Sequence, residues 1–217
     1  MPLKIIDRRH LLIIAVGFGG GLAALPWLPG PSLDPEQSLF ARVVVPFFAR
    51  AAIAFMLPAA ALVTCLVTDT LSSRDVFGEP QAASAKAVRV ILLCTVLFIV
   101  SLQGLVLLNV MGFPIASFSP HRLVVVLTGL LFVGIGNVLP RLRPNLVFGI
   151  RTRRILENRL AWERVHRVAG YVLAALGVVT VAAGLTLSKS QIPIVLSAVV
   201  VSGTMVNLAA YRRWTRG

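Results

Sequence analysis

The sequence predicts an all-α, polytopic membrane protein: six transmembrane helices, with a short cytoplasmic interfacial helix between the fourth and the fifth. Three observations predict it. Of the 217 residues, 57% are hydrophobic and 13% charged, and the mean hydropathy is +0.88, whereas ordinary soluble domains carry about 25% charged residues. Six apolar stretches approach the roughly 20 residues needed to cross about 30 Å of hydrocarbon. The Lys and Arg residues fall unevenly on the connections between those stretches, as the positive-inside rule requires.

The first span, residues 11–28, ends in Pro26, Trp27 and Pro29, a helix stop beside an interfacial aromatic. It follows Lys4, Arg8 and Arg9 as a signal peptide would. However, it exceeds the usual h-region of about 7 to 15 residues, and Leu25, Pro26, Trp27 and Leu28 stand where a small-residue cleavage site belongs, so it is read as a retained span. A polar connection with Asp34 and Glu36 leads to the second span, residues 43–67. Arg50 near its start can snorkel to the surface, and Pro58 predicts a kink near Phe55. A longer polar connection holds Asp69, Arg74, Asp75, Glu79 and Pro80. The third span, residues 88–111, closes at a turn beginning with Gly112. The fourth, residues 123–139, is entered through Pro120, His121 and Arg122 and left at Pro140. The fifth and sixth, residues 168–187 and 192–210, are separated only by residues 188–191 and form a tight antiparallel hairpin. A basic, interfacial tail follows from Tyr211.

This layout sorts the charges. One face receives Lys4, Arg8, Arg9, Arg74, Lys86, Arg89, the eight arginines from Arg141 to Arg167, and Arg212, Arg213 and Arg216, which is seventeen of 21; the other receives Arg42, Arg50, Arg122 and Lys189. Both termini and the basic segment are therefore expected in the cytoplasm, with the whole chain, residues 1–217, forming one integral domain of a bacterial cytoplasmic membrane. The net charge of +13 invites a nucleic-acid reading. The basic residues nevertheless sit at the ends of apolar runs and do not interleave with aromatics on a soluble face, so the expected partner is the lipid bilayer, with no direct nucleic-acid contact.

Residues 136–171, GNVLPRLRPNLVFGIRTRRILENRLAWERVHRVAGY, carry the chain's specific features. Asn137 stands where a side-chain amide can bond carbonyls freed as Pro140 breaks the fourth helix. Pro140 and Pro144 hold the chain to Asn145 in an extended turn, and Gly149 permits a tight reversal. Thr152 can cap the following helix. From Arg153, a helical reading gathers Asn158, Trp162, Val165, His166 and Ala169 on one face. Arg159 with Glu163, and Glu163 with Arg167, are spaced for i,i+4 pairs. The segment reads as an interfacial amphipathic helix turning into the fifth span near Val168.

Other features point to packing. Cys65 and Cys94 lie in separate apolar runs and are expected to be free, buried thiols. Glu163 and His166 have no second His at metal-ligand spacing and HExxH is absent, so neither a metal nor another cofactor is expected. Gln103, Asn109 and Asn207 are uncharged intramembrane polar residues that tie helices together, with a substrate path as the second reading. The glycine-rich run from Gly17 to Gly21 suits close helix packing. Asp69, at a span boundary, is the nearest approach to a mid-span carboxylate, so a proton relay lacks its usual groups.

The basic segment resembles the C-terminal signature of the SdpI family, bacterial membrane proteins named for immunity to a secreted peptide toxin. Gly136, Asn137, Pro140, Pro144, Asn145, Gly149, Ile150, Arg151, Thr152, Leu156, Trp162, His166, Arg167 and Gly170 match the pattern. Arg153, Arg154 and Ile155 replace a common Pro-Trp-Thr, Val165 stands where Thr is usual, and the loop from Pro26 to Gln37 lacks a His that many relatives carry. The resemblance implies toxin immunity, with a peptide toxin met outside and a transcriptional repressor sequestered inside, and no enzymatic activity. The functional motif takes Asn137, Pro140, Pro144, Asn145, Gly149, Arg151, Thr152, Trp162, His166, Arg167 and Gly170 from the resemblance, and Asn158 from the helix-face reading. The competing readings are a transporter of small solutes or lipids using the intramembrane amides, and a membrane enzyme with His166 as base.

Overall fold

The structure is a computed structural model that describes residues 5–29, 39–72, 82–113, 119–145, 147–150, 152–188 and 190–215. Among the described residues seven α-helices follow in order: α1 (Arg8–Ala24), α2 (Leu39–Ser72), α3 (Ala82–Val110), α4 (Pro120–Val138), α5 (Arg153–Leu156), α6 (Arg159–Thr186) and α7 (Gln191–Thr215). No strand occurs among the described residues. All but α5 are long and apolar enough to cross a membrane, as the six hydropathy runs predict. Most helices overshoot those runs, most plainly α2, whose 34 residues exceed the roughly 20 a bilayer core requires, while α1 stops at Ala24 and a 3-10 turn, Leu25–Trp27, follows.

α1, α2 and α3 pack on one another, α3 meets α4, α4 and α6 share the most extensive contact, and α7 leans on α6. Asp7 caps α1, its carboxylate accepting from the backbone N–H groups of Arg9 and His10. Asp69, near the end of α2, accepts from the N–H of Ile5 at 2.7 Å and fixes the entering chain. Inside α2, Pro58 has no N–H and so frees the carbonyl of Ala54. The Gln103 amide donates to that carbonyl at 2.7 Å and to the Ile53 carbonyl at 3.1 Å, tying α3 to α2 as the intramembrane polar residue was expected to. Cys65 and Cys94 are free thiols.

The α4–α6 contact is built on glycine. A Cβ on Gly129 would lie 2.7 Å from the Gly177 carbonyl oxygen, and one on Gly177 would lie 2.7 Å from that of Gly129. One turn-pair along, a Cβ on Gly136 would lie 2.7 Å from the Gly170 carbonyl oxygen. With lipid tails as apolar as leucine, close backbone approach of this kind supplies the van der Waals attraction that holds helices together.

The buried side chains are unevenly distributed. The larger cluster collects at the end of the bundle where α1 starts and α7 finishes; it runs from Ile5 through Val88, Ile91 and Leu92 to Leu142, Ile155, Trp162 and Val165, with Tyr211 and Trp214 packed against it. Both described ends of the chain lie there. The smaller cluster, Ala24, Leu28, Ala54 and Leu107, lies towards the opposite end.

Candidate functional site

The segment between α4 and α6 folds into a hydrogen-bonded knot against the larger cluster. Pro140 ends α4 in a 3-10 turn, Leu139–Arg141, and its ring sits against Gly170, where a Cβ would lie 2.6 Å from the proline Cδ. Leu142 follows, 1% exposed, and its carbonyl accepts from the Trp162 indole N–H at 2.7 Å. The Arg143 N–H donates to the Ser84 hydroxyl at 2.9 Å, anchoring the segment to the start of α3. Beyond Pro144, the Asn145 side-chain oxygen accepts from the N–H groups of Val147 and Phe148 at 2.9 and 2.8 Å, and its amide donates to the Arg143 carbonyl at 2.8 Å. That asparagine turn replaces a backbone turn with side-chain bonds.

Gly149 has φ +109°, a conformation in which any Cβ is strained, and a Cβ there would overlap the Nε2 of His166. The next N–H, from Ile150, donates to that same Nε2 at 3.0 Å. On the other side of the ring, Nδ1–H donates to the Trp162 carbonyl at 2.9 Å. The neutral imidazole carrying its proton on Nδ1 satisfies both bonds. The rings of His166 and Trp162 stack, 3.9 Å between centroids and 18° apart in plane, and neither residue has exposed surface. The Gly–His spacing across 17 positions is thus one contact: the glycine leaves the space that the imidazole needs.

Several expectations change here. Thr152 occupies the N-cap position of α5, but its side chain makes no capping bond; the side-chain cap belongs to Asn158, which accepts from the Ala161 N–H at 3.0 Å and starts α6. Of the expected face, Trp162, Val165, His166 and Ala169 are buried, whereas Asn158, which caps the helix, is exposed, and the helix passes Val168 without a break. α6 runs unbroken from Arg159 to Thr186, because the same stripe continues through Gly170, Gly177 and Gly184 onto α4. α5 has only four residues. Asn137 is exposed, and no described hydrogen bond reaches it. Glu163 pairs with Arg159 at 3.4 Å and more closely with Arg143, not with Arg167, because the folded turn brings Arg143 across α6. Arg167 is exposed, and Arg151 lies outside the described residues.

The structure therefore brings together Pro140, Pro144, Asn145, Gly149, Asn158, Trp162, His166 and Gly170, with Asn137 and Arg167 at the periphery. It adds Ser84, Leu142 and Arg143 as well as the contacts of Gly129, Gly136 and Gly177. Ser84 carries no sequence signal. The glycines do, in the seven-residue spacing of Gly129 and Gly136 on one helix and of Gly170, Gly177 and Gly184 on the other. Among the described residues, no group of three or more His, Cys, Asp or Glu is placed to hold a metal.

The model of the SdpI/YfhL protein family matches residues 141–210, from the 3-10 turn to the last turns of α7. No curated protein matches the chain, and no solved structure does. The match begins inside the signature segment, five residues after Gly136, and covers both helices that follow the knot. Over that third of its length the chain, a multi-pass membrane protein, is similar to the SdpI/YfhL protein family.

Proposed function

We propose that the chain is an immunity protein of the bacterial cytoplasmic membrane, protecting its host from a secreted peptide toxin, with both termini and the knot on the cytoplasmic side. The observation that carries this reading is the division of labour in the family-matched segment. Trp162, His166 and Asn145 spend their polar atoms inward on backbone groups, while Arg141, Arg153, Arg154, Arg159, Arg164 and Arg167 face outward. A rigid frame that displays guanidiniums suits binding a cytoplasmic partner, and the partner proposed is a transcriptional repressor held at the membrane when toxin is present. Both ring nitrogens of His166 are engaged, which favours a binding role over use of that imidazole as a catalytic base, and we read the chain as a protein other than an enzyme. The charge asymmetry of the connections supports the orientation.

The test is survival and membrane potential of a sensitive strain, with and without this chain, under challenge by secreted peptide toxins. Protection that is lost in Arg151→Ala, while the variant still inserts and unfolds at the parent temperature, supports the reading. Absence of protection against every toxin tried refutes it. A second reading, transport of a small solute or lipid, is favoured by one observation: the side-chain oxygens of Gln103 and Asn207 are buried without a partner. Uptake or efflux of a labelled compound that depends on Gln103 would support that reading instead.

A further inference from the structure

Between the Leu139–Arg141 turn and the first turns of α6 lies a cleft of about 430 Å³, lined by Pro140, Arg141, Leu142, Arg143, Glu163 and Arg167. Its walls are fixed. Pro140 is wedged against Gly170, the Leu142 carbonyl is held by the Trp162 indole, and the Arg143 N–H is held by Ser84. Three guanidiniums converge here against one carboxylate. That carboxylate is already engaged, since one Glu163 oxygen accepts from Arg143 and lies 3.4 Å from the Arg159 Nε. Arg141 and Arg167 are both exposed, and neither has a hydrogen-bond or ion-pair partner among the described residues. Two uncompensated like charges, carried by different elements into one cleft, repel unless an anion lies between them.

The geometry points to a phosphate-binding site in this cleft, gripped by Arg141 and Arg167 and bounded by the Arg143–Glu163 pair. Guanidinium forks match phosphate oxygens in pairs, which a lysine ammonium does not. The phosphate is that of an anionic lipid headgroup or a free phosphate ion, since both present the same oxygens. The location suits a headgroup. Tyr211 and Trp214 pack at the same end of the bundle, Arg164 sits 4.2 Å over the Trp214 ring, and aromatic residues of this kind settle at headgroup level. The site is independent of the toxin reading, because it needs only the cleft and its charges.

The experiment uses the full chain in mild detergent, equilibrated with phosphatidylglycerol or phosphatidylcholine vesicles, with retained lipid read by native mass spectrometry. One phosphatidylglycerol per chain is expected. Its retention should fall about tenfold or more in Arg141→Gln/Arg167→Gln, from the loss of two charge-assisted contacts. Arg153→Gln/Arg154→Gln removes the same charge outside the cleft and should retain the lipid. In a parallel arm, inorganic phosphate is added to protein in phosphatidylcholine nanodiscs at matched ionic strength. A rise in melting temperature that vanishes in the cleft variant, without lipid retention, assigns the site to free phosphate. Equal loss in both double variants overturns the proposal, and so does the absence of both lipid retention and a phosphate effect. Should the cleft variant fail to fold, Arg167→Gln alone carries the test.

Discussion

The two ends of the bundle are held by different means. At the end where α1 starts and α7 finishes, the side chains of Trp162, His166, Asn145, Asn158 and Ser84 all bond backbone groups, over the larger buried cluster. Towards the other end, the described residues offer a cluster of four, the Gln191 side-chain oxygen accepting from the Ser188 N–H at 3.0 Å, the Ser119–His121 side-chain bond and, deeper in, the amide tie from Gln103 to α2. A shallow apolar groove between α1 and α3, lined by Gly20, Trp27, Gly104, Leu108 and Phe113 among others, remains open there. The difference follows the solvent. Backbone at membrane depth must satisfy itself within helices, whereas a non-helical connection at the membrane surface needs side chains to replace the lost ladder, and so concentrates polar residues.

The largest expected effect breaks the polar end. Gly149→Ala places a methyl group onto the His166 ring at a positive φ, so the Ile150–His166 bond and the Trp162 stack should both be disrupted, at a cost of about 3 kcal/mol. A lowered melting temperature in detergent, with loss of the near-ultraviolet circular dichroism of buried tryptophan, would register it; a variant identical to the parent would show that the knot does not depend on this contact. A smaller effect separates two glycines. Gly177→Ala meets backbone of α4 and should destabilise by about 1–3 kcal/mol, while Gly104→Ala, with nothing within 4 Å of its Cβ, should be neutral or gain up to about 1 kcal/mol from helix propensity. Equal melting temperatures for the two variants would contradict the close α4–α6 approach. The smallest effect lies in the intramembrane tie. Gln103→Leu should cost about 1 kcal/mol, in line with interhelical hydrogen bonds in membranes; a loss several times larger would make this amide a principal support of the α1–α3 unit.

Much of this was legible before any coordinates. Hydropathy located all six spans, since each must present apolar residues to lipid over a fixed thickness. The prolines, Asn145 and Gly149 marked the turn, and the three- and four-residue recurrence of Asn158, Trp162, Val165, His166 and Ala169 marked one face, all of it buried except Asn158. Less legible were the choice of Asn158 over Thr152 as the side-chain cap, the unbroken run of α6 from Arg159, and the seating of Arg143 on Glu163. Each depends on where a distant element lies: α4 must be in place before a stripe of glycines can extend a helix face.

The sequence by itself thus determined the number of spans, the charge asymmetry and the residues of the family signature, because hydropathy and turn chemistry are local. Only the tertiary structure decided what those residues touch. Trp162 bonds the Leu142 carbonyl, His166 bonds Ile150 and the Trp162 carbonyl, and Gln103 bonds the carbonyl that Pro58 freed. All these partners are backbone groups, which nearly every residue possesses and which therefore leave no mark in a sequence until folding selects one of them.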